Sequence, residues 1–90
     1  MPFIYGKVTK HSNVLAYGNV LVEFYADIGA TNKLGSATTN SDTGNYSASV
    51  NANVSVNAIR VGGQAPYSST PAVPFSVTTT NKPCNIVANV

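Results

Sequence analysis

The side chains able to do chemistry are few: one histidine, one cysteine and three carboxylates in 90 residues. His11 stands in the polar run Lys10-His11-Ser12-Asn13 with no carboxylate close in sequence, which suits a solvated imidazole better than a general base. Cys84 is in phase with Ile86 and Ala88, the parity expected to face inward, where a thiol behaves as a small hydrophobe. A Cys–His nucleophile would need His11 to reach it and an environment that lowers its pKa. Glu23 and Asp27 are four apart on one expected strand, about 13 Å at a rise of ~3.3 Å per residue, too far for the paired carboxylates of a glycosidase. Asp42-Thr43-Gly44-Asn45 offers calcium a single carboxylate where the ion takes about six to eight oxygens, so it reads as a plain turn. No phosphate-loop or dinucleotide glycine pattern occurs. Asn45-Tyr46-Ser47 and Asn53-Val54-Ser55 fit the glycosylation sequon, as chance would allow in an Asn/Ser-rich chain. The expectation is a protein with no catalytic residues, no metal and no cofactor, and therefore not an enzyme.

The composition narrows the partners. Charged residues are 9% of the chain, against about 25% in an ordinary soluble domain, and Asn, Ser and Thr take their place. Lys7, Lys10, Lys33, Arg60 and Lys82 are scattered, so no basic patch is available to displace counterions and nucleic acid is not an expected partner. No run of ~18 apolar residues is present, and membrane insertion is not expected. Met1-Pro2-Phe3-Ile4-Tyr5-Gly6-Lys7 lacks the features of a secretory signal, which leads to the expectation of cytosolic synthesis. A single cysteine permits no internal disulfide.

Five Tyr and three Phe without Trp, together with abundant Val and Thr, suit pleated surfaces, and the chain reads as one all-β domain over residues 1–90. Phe3 to Lys10 is a strand with Ile4 and Val8 inward. In Asn19 to Asp27 the acidic parity holds Glu23 and Asp27, leaving Val20, Val22, Phe24 and Ala26 inside. Leu34 to Thr39 leads into a turn and then Tyr46, Ala48 and Val50 alternate with polar residues. The stretch from Thr38 to Val50 reads as a β-hairpin whose turn is set by Asp42 and Gly44, with Gly44 at positive φ. Val54, Val56 and Ala58 form a further strand, whose parity breaks near Ala58. Gly62 to Pro74 reads as the longest irregular stretch, Val73 to Val77 as a strand, Asn81-Lys82-Pro83 as a turn, and Cys84, Ile86, Ala88 and Val90 as the inward face of the last strand. About seven strands with turn signals between them predict an antiparallel, Ig-like β-sandwich.

Gly6-Lys7-Val8, Val20-Leu21-Val22, the run Thr39-Asn40-Ser41-Asp42-Thr43-Gly44-Asn45-Tyr46 and Val54-Ser55-Val56 together resemble the carboxypeptidase regulatory-like, or transthyretin-like, β-sandwich domains. The resemblance covers roughly the first two thirds of the chain. Thr39, Asp42, Gly44 and Tyr46 carry its central feature, and Ala16-Tyr17-Gly18 stands where that family has Gly-x-Pro. It implies a non-catalytic spacer, accessory or adhesive module.

The function expected is that of a structural interaction module, a virion decoration or similar assembly protein that binds a repeating protein lattice. The alternative is a carbohydrate-binding or adhesive domain of a bacterial surface protein, with Tyr17, Tyr25 or Tyr67 stacking on sugar. Two contact surfaces suggest themselves. If the first two strands are neighbours, Phe3, Tyr5, Leu21 and Tyr25 form an outward apolar patch. In the 62–74 stretch, Pro66 and Pro71 restrict the chain, and Tyr67 supplies a large, fairly rigid side chain of the kind enriched at interface centres.

Overall fold

Period-two patterning becomes structure most directly in β1 (Phe3–Lys10), where Ile4 and Val8 are fully buried and Lys7 is exposed. The computed structural model describes residues 1–90. It contains no helix, and about half of the chain is strand. After β1 come β2 (Leu21–Tyr25), β3 (Lys33–Thr38), β4 (Asn45–Ser49), β5 (Val54–Val56), β6 (Ala58–Val61), β7 (Ser68–Thr70), β8 (Phe75–Val77), β9 (Lys82–Pro83) and β10 (Asn85–Ala88). One sheet has the order β4-β1-β10-β7 with β9 also on β1, a second has β3-β2-β6, and β5 pairs with β8 alone. A cluster of 16 buried side chains draws on all three, including Ile4 and Ile86, Phe24 and Ile59, and Val56 and Val77.

Several expectations are corrected. The pairing is not wholly antiparallel: β9 and β10 both run parallel to β1, at Ile4↔Lys82 and Val8↔Ile86. Lys82–Pro83 is thus a short strand instead of a turn. The two partners share one edge of β1 because the chain steps aside at Cys84, whose N–H donates to Tyr5 O at 2.7 Å. In the gap, Asn85 Oδ1 accepts from Lys7 N at 3.0 Å, so a side chain stands in for the missing ladder bond. Val90, expected inside, is 45% exposed, since β10 ends at Ala88.

The 38–50 stretch is not a hairpin. Its two arms join different sheets, β3 pairing with β2 and β4 with β1. The turn between them is an arch that carries the chain across the core. Gly44 has φ +72° as expected, but the turn is organised by Asn40, whose Oδ1 accepts from Asp42 N and Thr43 N at 2.8 and 3.1 Å. The Asp42 carboxylate takes no part, and the side chain is exposed. Thr39, 2% exposed, donates to Tyr17 O at 2.7 Å and accepts from Val20 N at 3.1 Å, fixing the start of the arch. Tyr46, Ala48 and Val50 face inward as expected.

The parity break near Ala58 is where the chain changes sheets: β5 pairs with β8, and β6, two residues on, pairs with β2. Ile59 and Val61 are buried and Arg60 is half-buried on the outer side. Because β1 and β2 belong to different sheets, Phe3 and Tyr5 do not join Leu21 and Tyr25, and the single patch expected of these four does not form. Neighbouring strands in sequence are often neighbours in space, and here the loop of residues 11–20 instead carries the chain to the other sheet.

Candidate interaction groove

The residues that converge on one concave surface come from β6 and the segment after it. Val61-Gly62-Gly63-Gln64 forms a tight turn with φ +60° at Gly62 and +82° at Gly63, the backbone signs of the two-residue turns that suit a right-handed hairpin twist. Val61 N donates to Gln64 O at 2.8 Å and Gln64 N to Val61 O at 3.1 Å. There the pairing stops. Pro66 has no N–H to continue it, and the second arm swings away to form β7, which pairs with β10. The stretch 62–74 therefore contains a strand, contrary to the expectation of an irregular loop.

Between the splayed arms lies a groove of about 510 Å³, with Asn57 to Arg60 on one wall, Ala65 to Ser69 on the other, and Ile28, Ala72 and Val73 completing it. Ile28 is 81% and Tyr67 57% exposed. Two of the expected contact residues, Pro66 and Tyr67, line the groove. Pro71 does not; its carbonyl accepts from Ser69 Oγ at 2.9 Å and so helps hold the second arm. Tyr67 is not isolated, because its ring stacks on His11 with centroids 3.6 Å apart and planes 16° apart. His11, expected to stand alone in a polar turn, is thus the support for one face of the Tyr67 ring. The Gly62-Gly63 pair was the signal for this hairpin; the partner of Tyr67 had none, since positions 11 and 67 meet only through the β10 pairing.

Arg60 is the only charged residue in the groove. It lies opposite Glu23 in the ladder, yet Glu23 is taken by Lys33 at 3.1 Å, the one ion pair of the molecule. The hydrogen bond from Lys33 holds Glu23 below the usual carboxylate range. Partial desolvation and the neighbouring Glu23 raise the Tyr25 phenol. Asp27 is a loop organiser: its carboxylate accepts from Thr31 Oγ1, Thr31 N and Asn32 N, which lowers its pKa to about 2. The Cys84 thiol is fully buried, and that burial pushes its pKa up.

The three tyrosines considered for sugar stacking are separated in role. Tyr17 is half-buried and packs against the core, Tyr25 lies on β2 next to Glu23, and Tyr67 has one ring face covered by His11. No three His, Cys, Asp or Glu side chains come together as a metal site would require. Compared with family models, curated proteins and solved structures, the chain matches none.

Proposed function

We propose that the chain is a non-catalytic β-sandwich module of the transthyretin-like kind that docks on a repeating protein lattice, such as the surface of a virion, through the groove between β6 and β7. The observation that carries this reading is the convergence of Ile28, Pro66, Tyr67 and Val73 on one concavity, on a molecule that holds a single ion pair. Apolar concavity with a rigid aromatic at its rim is the composition of an interface centre, and sparse charge leaves packing and hydrogen bonds to supply the affinity. The sandwich arrangement agrees with a core drawn from all three sheets.

The test is occupancy on purified particles from the protein's own source. The protein should co-sediment with them at a fixed ratio to the major particle protein. Tyr67→Ala should leave melting nearly unchanged and lower that ratio severalfold. A wild-type protein absent from every particle fraction would end this reading.

A further inference from the structure

Both walls of the groove are strand edges left open. In an antiparallel ladder successive residues turn their N–H and C=O groups alternately toward and away from the partner strand. Gly62 N donates to Leu21 O, which sets the phase of β6: Ala58 and Arg60 bond to β2, and Ile59 and Val61 direct their groups the other way. Val61 is answered on that side by Gln64. Ile59, two residues back, has no strand opposite, and its carbonyl accepts instead from Nη1 of Arg60 at 2.9 Å. On the other wall, His11 N takes Ala88 O and Tyr67 N takes Val87 O, so Asn85 and Val87 serve β7. Ser68 and Thr70 answer them, and Ser69 turns its N–H and C=O away from β10.

We infer that the groove captures the C-terminal segment of a partner protein as an added strand parallel to β6, with its terminal carboxylate on Arg60; the inference rests on the interaction-module reading. Three observations select this occupant. Ile59 and Ser69 hold backbone donors and acceptors in strand phase that no neighbouring strand answers, the Ile59 carbonyl being met only by the Arg60 side chain, and an extended chain satisfies such groups. The Val61–Gln64 bridge closes the β6 edge immediately beyond Arg60, so a paired segment cannot continue in line and must end there. Arg60 has no carboxylate of its own, its ladder neighbour Glu23 being paired with Lys33, and a guanidinium binds a carboxylate bidentately. A strand whose C-terminus lies at that closed end runs parallel to β6. On binding, the Arg60 side chain leaves Ile59 O for the carboxylate, and the carbonyl it vacates accepts a peptide N–H. Without an occupant, the same side chain blunts an edge that would otherwise invite strand pairing.

The experiment probes the full chain with a bead-bound library of octapeptides attached through their N-termini, so that each presents a free C-terminal carboxylate. Selected peptides are then remade as C-terminal amides. Expected results are at least tenfold weaker binding of the amides, a similar loss for Arg60→Gln, and peptide-induced amide shifts at Ile59 and Ser69. Equal binding of acids and amides, or shifts confined to other strands, would overturn the capture. So would concentration-dependent dimerisation abolished by Arg60→Gln, which would assign the groove to a second copy. Particle occupancy separates this from the broader reading: if Arg60→Gln still decorates particles and Tyr67→Ala does not, carboxylate capture fails and the interaction module stands.

Discussion

The hydroxyl of Tyr46 donates to the carbonyl of Cys84, 38 residues away in sequence, and ties β4 to the junction of β9 and β10 across the intervening β1. The same carbonyl lies over Gly6, where any Cβ would collide with it. Burial and the contact with Cys84 push the Tyr46 phenol well above its ordinary range. Tyr46→Phe leaves the buried carbonyl without this partner and should lower stability by about 1–2 kcal/mol, read from chemical denaturation. An unchanged midpoint would show that the bond contributes nothing.

Two glycines at positive φ should respond differently to substitution. At Gly44 a Cβ would also sit 2.7 Å from Val8 O, so Gly44→Val combines strain with a clash and should lose more than about 1 kcal/mol. At Gly63 nothing lies within 4 Å, and Gly63→Asn, a residue that tolerates the left-handed region, should change stability by less than about 0.5 kcal/mol. Equal melting of Gly44→Val and the parent protein would contradict the arch geometry.

Cys84 should be inert in the native protein. Its thiol is buried and its pKa raised, so a thiol reagent at neutral pH should label it only as fast as the β9–β10 junction opens, and rapidly in denaturant. Stoichiometric labelling of the folded protein within seconds would overturn the placement.

Acid should loosen the 28–32 loop before it unfolds the core. The Asp27 pKa is about 2 in the fold against an ordinary 3.8, so its contribution is present above pH ~4 and is lost as pH falls toward 2. Protection of the Thr31 and Asn32 amides from exchange, taken relative to an unstructured chain at the same pH, should fall across that window because Asp27 holds both N–H groups, while Asp27→Asn should show little protection already at neutral pH. Protection that stays flat from pH 5 to 2 would remove Asp27 from this role.

Inside and outside were legible wherever a period of two ran unbroken, as at Ile4 and Val8, Val22 and Phe24, or Tyr46 and Ala48. Partner strands were not, because alternation states which face is wet and says nothing of which edge is shared. That is why the alternation from Thr38 to Val50 reads as a hairpin and puts Tyr5 beside Leu21. The last strand kept its inward parity at Cys84, Ile86 and Ala88 and lost it at Val90. For the groove, Pro66 and Tyr67 stood out by residue type, but Ile28 and Arg60 did not. Their membership follows from the Gly62-Gly63 turn and from the divergence of its arms into two sheets, a long-range outcome with no local mark.

The parallel pairing of β1 with β10 also has a mechanical meaning. β1 begins near Met1, and β10 ends near Val90 with its C-terminal end beside Lys10, so tension applied to the two ends pulls these strands past one another along their length. Their ladder bonds, together with those of β9, would then be loaded simultaneously instead of one after another as in a strand peeled from its end. A unit built this way resists such tension until the ladder gives way as a whole, and then yields abruptly.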